Sequence, residues 1–121
     1  MKIAYINIFV SDLNKAVNFY QQTLGLSLLT HDPDFGYAAF QVGAIKLGLA
    51  VPGAEQLQLI GGHSGIGLAV TDLDNSYRKL IDAGARFSME PTRQPWGGYM
   101  ALLEDPDGNR FYLDQVSEII D

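Results

Sequence analysis

The residues best equipped for chemistry lie near the end of the chain. Asp105-Pro106-Asp107-Gly108-Asn109 reads as a turn, and Arg110-Phe111-Tyr112-Leu113-Asp114 follows as an alternating run. Successive side chains of a strand point to opposite faces. Phe111 and Leu113 therefore share an apolar face, and Arg110, Tyr112 and Asp114 share the other. A guanidinium, a phenol and a carboxylate on one face suit a metal, a pocket for an organic molecule, or plain solvent. Few other groups compete. The only histidines are His31, at a strand end beside Asp32 and Asp34, and His63, two residues before Gly65 and so able to share its face. No HxH or HExxH spacing occurs, and both histidines read as surface or turn residues. Ser64 and Ser88 lack the base and orienting group that a hydrolytic triad needs. With no cysteine, disulfides, thiolate zinc sites and thiol nucleophiles are excluded.

Two similar units must position these groups. Ile6-x-Ile8-x-Val10-Ser11-Asp12-Leu13 is matched sixty residues later by Ile66-x-Leu68-x-Val70-Thr71-Asp72-Leu73. Each is a period-2 apolar run that meets Ser/Thr-Asp-Leu and then a helical period, which predicts a strand, a helix cap and a helix. The first helix presents Leu13, Ala16, Val17, Tyr20 and Leu24 as one stripe and stops at Gly25. The second presents Leu73, Tyr77, Leu80 and Ile81 and stops at Gly84. Asp12 and Asp72 stand where a carboxylate caps free N–H groups. Strands are expected at Leu26–His31, Tyr37–Val42 and Ile45–Val51, then at Arg86–Glu90, Tyr99–Glu104 and Arg110–Gln115. The order is β-α-β-β-β twice: an α+β chain of one domain. Its first module spans about residues 1–52, a Gly-rich linker about 53–64 and its second module about 65–121.

Composition narrows the partners. At 121 residues, 47% hydrophobic and 18% charged, the chain is built for a packed core. A net charge of −6 repels phosphate, which argues against nucleic acid and anionic membranes. No apolar run approaches the roughly 18 residues of a membrane span. The opening Met1–Val10 run reads as a strand and not as a signal peptide, because Asn7 interrupts it and no small-residue cleavage site follows. A soluble cytoplasmic protein is expected.

Strand alternation then gives the second faces their character. Tyr5, Asn7 and Phe9 lie opposite Ile6, Ile8 and Val10. Gly65, Gly67 and Ala69 lie opposite Ile66, Leu68 and Val70, and Lys46, Gly48 and Ala50 lie opposite Leu47 and Leu49. Glycine weakens a strand, so its repetition calls for close approach by something other than a side chain. Small residues on two strands with aromatic and polar groups on two others predict a void lined by Tyr5, Asn7, Phe9, Gly48, Gly65, Gly67 and Tyr112. The plainer explanation is that the glycines allow curvature or close packing against a partner subunit.

Val10-Ser11-Asp12-Leu13, Phe19-Tyr20, Leu24-Gly25-Leu26, Val70-Thr71-Asp72-Leu73 and above all Pro95-Trp96-Gly97-Gly98 before Asp105-Pro106-Asp107-Gly108-Asn109 resemble the vicinal oxygen chelate superfamily. That superfamily includes glyoxalase I, bleomycin resistance proteins and extradiol dioxygenases. The resemblance implies two βαβββ modules whose mixed sheets curl round a central cavity, and a homodimer. It adds Trp96 and Tyr99 near the cavity entrance. Enzymes of the superfamily hold a divalent metal with His, Glu or Gln from four strands. Those positions fall at Tyr5, at Gly48 (with Lys46 the nearest alternative), at Gly65 and at Tyr112. Two phenols and two glycines are a poor set for a hard cation. No metal and no cofactor are therefore expected. Lys46, Glu104, Arg110 and Asp114 supply charge at the rim.

Three functions follow as expectations. The first is a metal-independent protein of the bleomycin-resistance type that sequesters a planar or aromatic organic ligand, with no catalytic residue. The second is a glyoxalase-like lyase or isomerase, or a thiol-conjugate transferase, using Tyr5 or Tyr112 as acid or base. The third is an interaction module whose glycines serve dimer packing.

Overall fold

The structure, a computed structural model, describes residues 1–120. Its contacts divide the chain into two units. The first is Met1–Gly62 together with Pro106–Gly108; the second is His63–Asp105 together with the residues from Asn109 onward.

In the first unit, β1 (Ile6–Phe9), β2 (Ser27–Asp32), β3 (Tyr37–Val42) and β4 (Ile45–Ala50) form one sheet in the order β1-β4-β3-β2. β1 runs parallel to β4, and β4-β3-β2 is an antiparallel meander. The helix α1 (Leu13–Asn18) starts where Asp12 Oδ1 accepts the Lys15 N–H at 3.1 Å. The apolar stripe continues into a wider π-helical turn, Phe19–Thr23, where Leu24 N–H donates to the Phe19 carbonyl at 3.0 Å. The looser turn keeps Phe19 and Tyr20 both buried and edge to face, 5.3 Å between ring centres, with Tyr20 6.0 Å from Phe40. Such ring pairs contribute about 0.5–1.5 kcal/mol beyond their buried area. Gly25, at φ 73°, then ends the helix.

The second unit repeats this plan. β5 (Gly62–Val70), β6 (Arg86–Arg93), β7 (Tyr99–Glu104) and β8 (Asn109–Gln115) stand in the order β5-β8-β7-β6, and α2 (Leu73–Asp82) opens with Asp72 Oδ1 accepting the Asn75 N–H at 3.2 Å. Leu73, Ala101 and Leu113 form its buried centre, with Leu68, Val70, Leu80, Phe87 and Tyr99 packed on them.

The element order and both caps follow the sequence argument; the boundaries move. β5 begins at Gly62, inside the stretch read as linker, and a 3₁₀ segment occupies Ala54–Leu59 there. β6 runs on to Arg93 because it is bulged twice against β7, between Phe87 and Met89 and between Met89 and Thr92. A bulge breaks the alternation by which a strand is recognised in sequence.

Candidate functional site

In the first unit β1 and β4 pair with Asn7 beside Gly48. The antiparallel β3–β4 register sets Ala39 across from Gly48 and Tyr37 across from Ala50. Tyr37 therefore leans over the glycine. A Cβ added to Gly48 would clash with Asn7 Oδ1 and lie 2.5 Å from the Tyr37 hydroxyl. That hydroxyl in turn meets Asn7 Oδ1 at 3.5 Å, a long hydrogen bond. The room left by Gly48 is thus taken by the unit's own Asn7 and Tyr37. Phe9 is half-buried on the same strand, and Tyr5 stands just before it, 56% exposed.

The second unit is different. Gly65 and Gly67 are exposed on β5, and a Cβ on either would meet nothing within 4 Å. β8 neighbours β5, and its residues alternate as expected: Phe111 and Leu113 are buried, Arg110, Tyr112 and Asp114 half-buried on the opposite face. The β7–β8 register adds Leu102 across from Tyr112 and Glu104 across from Arg110.

His63 belongs to this face. Its ring centre lies 4.6 Å from that of Tyr112, tilted by 58°. Its Nδ1 accepts the Gly65 N–H at 2.9 Å. The bond forms because Gly65 adopts φ 75°, which turns its N–H back toward the histidine. With Nδ1 engaged as acceptor, the proton of the neutral ring sits on Nε2, which is the nitrogen left for a guest. Ser64 is consumed locally: its Oγ donates to the Arg110 carbonyl at 2.6 Å and accepts the Ile66 N–H at 3.1 Å. It has no part in a triad.

Tyr99 lies on the α2 side of β7 with Ala101 and Leu103, not on the Tyr112 side, because Leu102 is the residue registered with Tyr112 and Tyr99 is three positions away. Its hydroxyl donates to Asp74 Oδ1 at 2.5 Å, and the Arg93 guanidinium covers its ring at 4.5 Å. The hydrogen bond to Asp74, then burial and the charge of the same carboxylate, raise its pKa above the usual 10.0; Arg93 opposes this. Trp96 stands in the turn between β6 and β7, 72% exposed and folded over Gly98.

The DPDGN turn is accounted for by structure. Asp105 is buried and accepts both the backbone N–H and the side-chain amide of Asn109 at 2.9 Å. Asp107 accepts the Ser11 N–H at 3.0 Å and its hydroxyl at 2.5 Å, tying down the entry to α1.

The family follows from comparison. The family model described as Glyoxalase/Bleomycin resistance protein/Dioxygenase superfamily matches residues 2–113. The chain belongs to this superfamily. Among relatives of this glyoxalase-superfamily chain, an uncharacterized protein of Bacillus subtilis, YraH, is 30% identical over 90% of the chain and 94% of its own length. A probable lactoylglutathione lyase of Synechocystis is 29% identical over 97% of each. A crystal structure of a superfamily member from Sphaerobacter thermophilus superposes with a TM-score of 0.82 at 30% identity, covering 96% of this chain and 98% of that one.

The metal implied by enzymes of the superfamily finds a poor set of donors here. Gly65 has no side chain, Gly48 is covered by Asn7 and Tyr37, and the remaining positions are the phenols Tyr5 and Tyr112. Among the described residues no three His, Asp or Glu side chains gather closely enough to hold an ion. No helix is long and apolar enough to cross a membrane among them.

Proposed function

We propose that this superfamily member is a small-molecule-binding protein that holds a planar organic ligand without a metal, in the manner of the bleomycin-resistance branch. It works by sequestration, as a homodimer. The observation that carries the reading is the open room over Gly65 and Gly67 beside the Tyr112–His63 ring pair. A flat ring laid over the glycines meets backbone below and aromatic edges beside it, and buries apolar area without displacing a side chain. The Nε2 of His63 offers a polar contact that orients such a ligand. In the same unit Trp96, in the turn between β6 and β7, adds an exposed apolar surface.

A thermal-shift screen of planar aromatic compounds tests this. At least one class is expected to raise the melting temperature, and EDTA is expected to leave it unchanged. A stoichiometric divalent ion whose removal lowers the melting temperature defeats the metal-independent reading. No shift with any compound, from a well-folded dimer, turns the reading toward an interaction module.

A second reading is favoured by two observations. Relatives named lactoylglutathione lyase align at 26–29% identity, and a histidine stands beside Tyr112. In that reading the chain is a lyase or isomerase with Tyr112 as the acid or base. Turnover of a 2-oxoaldehyde–glutathione adduct, lost in Tyr112→Phe, establishes it; no turnover removes it.

A further inference from the structure

The polar element of the second unit's face that the planar-ligand reading leaves unused is Arg110. Its Nε is buried and meets no acceptor among the described residues. A buried donor without a partner carries the full cost of its desolvation, so native proteins rarely leave one unless a ligand or water completes it. Arg110 lies two positions before Tyr112 on the same strand face, about 7 Å along the strand. The Ser64 hydroxyl fixes the Arg110 backbone by donating to its carbonyl. Glu104 stands across from it in the β7–β8 register and Asp114 lies two residues beyond Tyr112.

We propose that the ligand is an aromatic anion, its ring over Gly65 and Gly67 against Tyr112 and His63 and its carboxylate, or an equivalent oxyanion, on the Arg110 guanidinium. This rests on the planar-ligand reading and adds its charge. A guanidinium presents N–H groups in a plane that matches a carboxylate, and such charge-assisted bonds are about twice as strong as neutral ones. The net charge of −6 gives an anion no long-range attraction, so selectivity for it comes from this local cation. Glu104, registered across from Arg110, opposes an incoming carboxylate through its own negative charge.

Calorimetric titration of the full-length protein with 2-naphthoate and with its uncharged counterpart 2-naphthamide tests the inference. Wild type is expected to bind the naphthoate roughly tenfold more tightly. Arg110→Met is expected to abolish that preference while leaving naphthamide affinity within about twofold. Glu104→Gln is expected to raise naphthoate affinity severalfold, and it supplies the test if the arginine variant does not fold. Equal affinity for the two probes in wild type, or a preference kept in folded Arg110→Met, overturns the anion assignment and leaves the planar-ligand reading standing. Binding of neither probe overturns both.

Discussion

The two units share a topology and assign large and small side chains in opposite ways. On the first strand of unit one, the face away from the helix carries Tyr5, Asn7 and Phe9. Sixty residues later the same positions are Gly65, Gly67 and Ala69. On the neighbouring strand the pattern inverts, with Gly48 in the first unit and Tyr112 in the second. In the first unit the small residue is covered by Asn7 and Tyr37; in the second the glycines stay open. The first unit also contributes roughly twice as many of the buried apolar residues, including Tyr20 and Phe40. One unit fills the space over its glycine with its own side chains, and the other leaves that space open. The glycines of a strand do not by themselves mark a pocket: the deciding matter is what the adjacent strands place over them.

The sharpest way to break this comparison is to hollow each core in turn. Phe40→Ala removes a fully buried ring from the first unit and is expected to cost about 3–5 kcal/mol in urea unfolding. Tyr77→Ala removes a ring that meets Phe87 edge to face while only half-buried, and is expected to cost clearly less. Equal losses contradict the division of labour. Next come the glycines. Gly48→Ala forces a methyl against Asn7 and Tyr37 and is expected to destabilise by about 1–3 kcal/mol. Gly67→Ala points a methyl into open space and is expected to be neutral or stabilising by up to about 1 kcal/mol. Its expected effect is instead weaker binding of the proposed planar ligand.

The helix caps sharpen the comparison from the other side, since they are the feature in which the units agree. Asp12→Ala and Asp72→Ala each remove one cap and are expected to cost about 1 kcal/mol each. Unequal losses show that one cap has a further role. The smallest effect belongs to Tyr99. Its pKa is raised, so the contribution of its neutral, Asp74-bound form is complete below pH 10.0 and fades as pH climbs through the higher folded-state value. Absorbance at 295 nm is expected to show that Asp74→Asn makes one tyrosine ionise at lower pH than it does in the wild type.

The local parts of the fold were legible because they are written locally. Asp12 and Asp72 announced their helices, and the stripe Leu13, Ala16, Val17, Tyr20 gave the buried face of α1. Alternation placed Phe111 and Leu113 inside and Tyr112 outside. What escaped depends on residues far apart. Tyr37 over Gly48 follows from the tight Gly43–Ala44 turn, which fixes the β3–β4 register; the sequence contained that signal, but alternation within one strand does not use it. His63 on Tyr112 depends on the turned-back N–H of Gly65, and a glycine advertises conformational freedom without saying how it is used. Tyr99 was placed near the cavity entrance by resemblance alone, and its parity on β7 sets it on the face of Ala101 and Leu103.

The DPDGN turn bears on how such a chain arose and how it can be cut. Pro106–Gly108 groups with the first unit although the strands it joins belong to the second, and Asp107 holds Ser11 at the mouth of α1. A fragment ending at Gly62 therefore lacks a side chain that its own first helix uses. If the two copies descend from a duplicated ancestor, the early half must have borrowed that clasp from its later twin, and the gene can no longer be split at its midpoint without loss to the upstream piece.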